Sequence, residues 1–247
     1  MLILSMWRSY LLTYPFLAVY VLLVVPAFVP ITWATGSIRP IYWMAQQGCR
    51  LAFRLSGVRL RVLERQRAFE HPCCVFVANH VSNLEAPALF ATLPRIAVIM
   101  KESLGRIPLL GYAMRLGGFI CVDRSAKDSR KKALDEALRT LRGGISMLIF
   151  PEGTRNPAGP LLAFRPGPFQ LAIGAGVPVV PITIHGAQAL MPRGTTYMRP
   201  GVVTLAFHPP VRTTGLTEKD RLDLMAQVRA CMQAAIDADA DQRQQAG

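Results

Sequence analysis

Two residues that could do acid–base chemistry, His80 and Glu85, follow the apolar run Cys73–Ala78. Imidazole accepts a proton near neutral pH, and a carboxylate on its other nitrogen sets the tautomer and steadies the imidazolium. A turn after a strand could bring Glu85, at a helix start, back to the ring. The pair can be read as a general base with its orienting carboxylate, as part of a metal site, or as a histidine that caps a turn. One His and one Glu are too few ligands for a metal, and no second His is suitably spaced. The base and the structural cap therefore both stand.

Two more polar clusters follow strand-like runs: Val122-Asp123-Arg124 and Phe150-Pro151-Glu152-Gly153-Thr154-Arg155. Arg124, Arg155 and Lys101 are candidate phosphate ligands, since guanidinium forks suit bidentate contacts. For each taken singly, a solvated surface charge is the rival reading. Gly153 would let the loop approach a ligand closely. Glu152 would accept a ligand hydroxyl or pair with an arginine. Neither GxxxxGK[ST], GxGxxG nor GxSxG occurs, which argues against a nucleotide loop and a serine hydrolase.

The elements around these clusters alternate. After a strand from Val58, strands are expected at Cys73–Ala78, Ile96–Met100, Phe119–Val122, Ile145–Phe150, Val177–Ile184 and Val202–Phe207. Helices are expected at Glu85–Leu93, from Ser125 and Asp128 to Arg142, at Pro166–Ala175, and after a Thr217–Asp220 cap. This alternation predicts an α/β fold with a largely parallel sheet flanked by helices, over residues 57–237. Such sheets bind ligands beyond the carboxyl ends of their strands, so the three clusters would converge on one cleft.

Residues 1–56 differ in character. Tyr10–Val29 is uncharged and long enough to cross a bilayer, with Pro15 and Pro26 kinking it and Pro30 ending it. A retained anchor is favoured over a signal peptide, because the cleavage signal near Ala34 is poor. Ile38–Leu55 reads as an amphipathic helix in the headgroup layer, its arginines reaching for phosphates. Residues 238–247 are expected to be a flexible tail.

The chain has 247 residues, 51% of them hydrophobic, and a net charge of +13. So basic a chain suits nucleic acid or an anionic membrane. Its mean hydropathy of +0.29 favours the membrane, and no zinc-finger or RNA-binding signature supports nucleic acid. Five cysteines, with Cys73 and Cys74 adjacent and no CxxC, fit a reducing compartment without disulfides.

Together, Asn79-His80-x-Ser82-x-x-Glu85, Lys101-Glu102-Ser103-Leu104 with Ile107-Pro108-Leu109-Leu110-Gly111, Gly118–Arg124, Phe150–Arg155 and Val177–Ile182 resemble the ordered blocks of the glycerolipid acyltransferases. The nearest branch resembles the bacterial 1-acyl-sn-glycerol-3-phosphate acyltransferases, over roughly residues 38–210. One departure is plain: the first block of that family usually ends in Asp, where this chain has Glu85.

The resemblance implies that His80, oriented by Glu85, deprotonates an acceptor hydroxyl that attacks an acyl-CoA or acyl carrier protein thioester. Asn79, Ser82, Lys101, Arg124, Glu152, Gly153, Thr154 and Arg155 would bind substrate, and no metal or other cofactor is implied. Lysophosphatidic acid on the cytoplasmic face of the inner membrane is the implied acceptor. Another lyso-lipid, such as a lyso-ornithine lipid, and a non-catalytic lipid-binding protein are the alternatives. Backbone amides near the first block are candidates for the oxyanion site.

Overall fold

The computed structural model describes residues 2–123, 126–156 and 160–245. It begins with one apolar rod: α1 (Leu2–Trp7), a π-wound turn over Arg8–Thr13, and α2 (Tyr14–Thr35). Pro30 does not end this helix, and Pro26 is also inside it. Each forfeits one backbone bond and crowds the carbonyl four residues before it, although its fixed φ is already helical. Apolar packing of Val25 and Val29 with Ile41 offsets that loss. The helix stops at Gly36, whose φ of 64° gives the left-handed turn that closes many helices.

A second helix, α3 (Arg39–Ser56), packs on α2. The Tyr20 hydroxyl donates to the Met44 carbonyl at 2.8 Å. A Cβ at Gly48 would lie 2.5 Å from the Tyr20 ring, so only glycine admits the ring there.

The α/β domain then runs β1 (Val58–Leu63), β2 (Val75–Ala78), α4 (Glu85–Thr92), β3 (Ile96–Lys101), α5 (Glu102–Gly105), α6 (Leu110–Leu116), β4 (Ile120–Val122) and α7 (Lys127–Arg142). It continues with β5 (Ser146–Ile149), α8 (Gly167–Ala175), β6 (Val179–His185), α9 (Ala187–Leu190), β7 (Gly201–Phe207) and α10 (Arg221–Gln245). The sheet order is β1-β7-β6-β2-β5-β3-β4, parallel except where β6 meets β7. The expected α/β class and mostly parallel sheet are therefore observed. Central β2 is buried at every position. Its alternation divides the core in two: Cys74, Phe76 and Ala78 face one cluster, and Cys73, Val75 and Val77 the other. All five cysteines are free.

Three expectations need correction or qualification. The α3 segment is helical, but Arg50 donates to the Ala91 carbonyl at 3.0 Å and Gln46 to Phe90 and Leu93. These side chains serve the carbonyl end of α4 rather than lipid phosphates, because a helix end leaves acceptors unmet. Over residues 238–245, where a tail was expected, α10 continues to Gln245, and Asp239 pairs with His185 Nδ1 at 3.0 Å. The Thr217–Asp220 cap is present, whereas Ser125, the expected cap of α7, lies outside the described residues.

Candidate active site

The base candidate sits just past the C-terminal end of β2, where the strand's last bonds give way to side-chain ties. Asn79 spans the gap to β6: its amide nitrogen donates to the Ile184 carbonyl at 3.1 Å, and its oxygen accepts the Ile184 amide at 2.7 Å. The turn that follows closes on Glu85, which is fully buried. Glu85 Oε1 accepts the amides of Val81 and Ser82, at 2.6 and 2.7 Å, and Oε2 lies 2.5 Å from His80 Nδ1. One carboxylate thus closes its own helix start and holds the imidazole.

The consequence is a defined tautomer. A carboxylate only accepts, so Nδ1 carries the hydrogen and the lone pair is on Nε2. Phe150 stacks on the ring with centroids 4.3 Å apart, which restricts its rotation. Burial pushes the Glu85 carboxyl up, while the imidazole and the two amides pull it back. Among the described residues, no group of three His, Cys, Asp or Glu side chains gathers as a metal site.

The loop after β5 supports the base from the other side. Glu152 is buried, and its Oε1 accepts the His80 amide at 3.0 Å while Oε2 accepts the Leu162 amide at 3.0 Å. The His80 carbonyl accepts the Asn156 amide at 2.6 Å. Glu152 therefore holds main chain, where the sequence suggested a ligand hydroxyl or an arginine partner. Ser82 also serves the scaffold, donating to the Met191 carbonyl at 2.9 Å. With the amides of His80, Val81 and Ser82 all taken by carboxylates, none of the three is left to form the expected oxyanion site.

Lys101 and Thr154 are exposed, and Arg155 is half-buried. Neither Lys101 nor Arg155 enters an ion pair among the described residues. The sheet order β2-β5-β3 brings Lys101, the last residue of β3, to the same sheet end as the His80 and Glu152 loops. Arg124 lies outside the described residues.

Gly153 adopts a φ of 69°, and a Cβ there would sit 2.5 Å from Nε of Arg165. The glycine makes room for a side chain of its own chain, where the sequence suggested room for a ligand. Arg165 and Phe150 were not singled out from sequence. Phe150 could be read as the end of a buried strand, and nothing local set Arg165 apart from the other arginines.

Beside the turn between His80 and Glu85 is an apolar cavity of about 170 Å3. Asn83, Leu84 and Pro87 line one side, and Phe53, Met191 and Met198 are among the other walls. It therefore adjoins the loop that carries the His80–Glu85 pair.

A family model described as Acyltransferase matches residues 59–185, which include the His80 turn and the Glu152 loop. The chain is 33% identical over 210 residues to a 1-acyl-sn-glycerol-3-phosphate acyltransferase of Pseudomonas aeruginosa, covering 79% of this chain and 80% of that protein. It is 40% identical over 135 residues to a 1-acyl-sn-glycerol-3-phosphate acyltransferase of Chlamydomonas reinhardtii, covering 54% of this chain and 41% of that protein. The match to a chloroplastic Brassica napus relative likewise spans only 49% of that protein's length. The crystal structure of the 1-acyl-sn-glycerophosphate acyltransferase PlsC from Thermotoga maritima superposes with a TM-score of 0.79 at 25% identity, covering 95% of this chain and 97% of that one.

Proposed function

The chain belongs to the acyltransferase family, and from that premise we propose that it transfers an acyl group from a thioester to the sn-2 hydroxyl of 1-acyl-sn-glycerol 3-phosphate, giving phosphatidic acid. The observation that carries the reading is the 2.5 Å contact between Glu85 and His80 Nδ1. It leaves Nε2 as the basic nitrogen. In the proposed step Nε2 takes the proton of the acceptor hydroxyl as the oxygen attacks the thioester carbonyl. The tetrahedral intermediate collapses, and the departing sulfur recovers the proton from the imidazolium. A thioester is already activated, so a positioned base and a bound acceptor suffice. The apolar cavity beside Leu84 suits an acyl chain. Exposed Lys101 and half-buried Arg155 suit the phosphate.

The test is a matrix of donors and acceptors. Purified chain in detergent, given acyl-CoA or acyl carrier protein and lysophosphatidate, is expected to release thiol and form the diacyl product. Absence of transfer from both donors would refute the reading. Preference for a phosphate-free lyso-ornithine acceptor would redirect it.

The N-terminal rod also bears on where this chemistry occurs. Its hydropathy and length would permit a crossing, yet it is docked sideways along the domain. Ser9 accepts the Met198 amide at 2.8 Å, Arg8 donates to the Leu55 carbonyl, and Val25 and Val29 pack with Leu109, Ala113 and Leu116 of the α5–α6 region. Ser9 to Val29 is roughly 30 Å of helix, the thickness of a bilayer core. A helix held against the domain over that distance is arranged to lie along the domain face rather than to stand away from it. We infer that it lies in one leaflet of the cytoplasmic membrane, with the site facing the cytoplasm, and that exposed Leu22, Leu23 and Trp33 meet lipid. Leu22→Asp with Leu23→Asp is expected to weaken vesicle binding on the order of a hundredfold. An epitope fused ahead of residue 1 is expected to be cleaved by protease added to everted membrane vesicles. Protection there, with cleavage in spheroplasts, would mean that the rod crosses.

A further inference from the structure

The seat of Arg165 on Gly153 carries an inference that rests on the proposed acceptor chemistry. Three guanidinium-side atoms, Nε, Cζ and Nη2, occupy the place of a Gly153 side chain, at 2.5, 2.7 and 3.1 Å from where its Cβ would be. The backbone of Arg165 is tied to the same loop, its amide donating to the Pro151 carbonyl at 2.9 Å. Three residues earlier, the Leu162 amide is bound by Glu152, the carboxylate that also holds the His80 amide. Arg165 is thus mounted on the framework that positions the base.

No described carboxylate pairs with Arg165, and the residue is exposed. An ordinary solvated arginine needs neither a left-handed glycine beneath it nor a backbone tie to the neighbouring loop. A guanidinium presents a planar fork of donors that matches phosphate oxygens. Arg155 is two positions beyond Gly153 on the same loop. We propose that Arg165 is a ligand of the acceptor's phosphomonoester, and that Arg155 and Arg165 grip it from the two sides of Gly153. The left-handed glycine is then required because it seats this arginine.

The test compares lysophosphatidate with monoacylglycerol, which offers a hydroxyl and an acyl chain but no phosphate. Arg165→Ala is expected to raise KM for lysophosphatidate about tenfold to a hundredfold while kcat changes little. Turnover of monoacylglycerol should stay as in the parent, so the preference for the phosphorylated acceptor falls by the same factor. Arg165→Lys is expected to recover only part of it, because an ammonium lacks the fork. Arg59→Ala, on the far edge strand β1, should leave the KM for lysophosphatidate unchanged. An unchanged preference in Arg165→Ala, beside a reduced one in Arg155→Ala, would overturn the assignment of Arg165 and leave the acceptor reading standing. Failure of the parent chain to use lysophosphatidate at all would overturn both.

Discussion

His80→Ala is expected to lower kcat by between about a hundredfold and ten-thousandfold, the usual worth of a positioned general base. KM for the acceptor should change little, because the residues assigned to its phosphate are on other loops. The fold should survive. His80 is only partly buried and contributes a stacking contact with Phe150 and one bond to Glu85, together on the order of 1–3 kcal/mol. Activity near that of the parent would mean that another group takes the proton.

The same variant carries a pH signature. Burial raises the Glu85 carboxyl above 4.5, and the imidazole is the largest influence opposing that rise. Without the ring, the carboxyl rises further. A group whose folded pKa is raised contributes stability that is fully present below its unfolded pKa and is lost as pH climbs through the folded value. Thermal unfolding of His80→Ala, compared with the parent, should therefore show a steeper loss of stability as pH rises from about 4.5. Parallel curves would mean that the carboxyl does not depend on the imidazole.

How far the site was legible from sequence depends on what each residue binds. His80 and Glu85 could be paired because their spacing needs only a strand end, one turn and a helix start, all local signals. The α/β alternation was equally readable, since buried strands and capped helices differ in period and composition. The roles of Asn79, Ser82 and Glu152 were not readable. Asn79, Ser82 and Glu152 meet Ile184, Met191 and the His80 amide 105, 109 and 72 residues away, and only the tertiary fold brings them together. A polar residue beside a motif suggests a ligand contact, whereas a buried one is more often consumed by backbone. Arg165 was obscured for the converse reason: its seat is a glycine, which leaves no side-chain partner to find. The antiparallel β7 and the docking of α2 along the domain likewise depend on contacts that no short window contains.

Glu85 holds both the imidazole and the turn, and its variants give the second large effect. In Glu85→Gln the amide oxygen can still accept the Val81 and Ser82 amides, which leaves the NH2 group facing His80 Nδ1. That group donates, so the ring must accept at Nδ1 and carry its hydrogen on Nε2, where it can no longer act as a base. A loss in kcat of about a thousandfold to ten-thousandfold is expected, comparable to wrong-tautomer variants of hydrolase triads. The carboxylate spans three donors at 2.5 to 2.7 Å. Glu85→Asp withdraws it by one carbon–carbon bond, about 1.5 Å, so it must release either the imidazole or the turn amides. Its activity should fall between that of the parent and of Glu85→Gln, with part of the loss appearing as a lower Tm from the unmet amides. Full activity in Glu85→Asp would show that the turn relaxes to the shorter side chain. The extra methylene would then be neutral here, rather than matched to this turn.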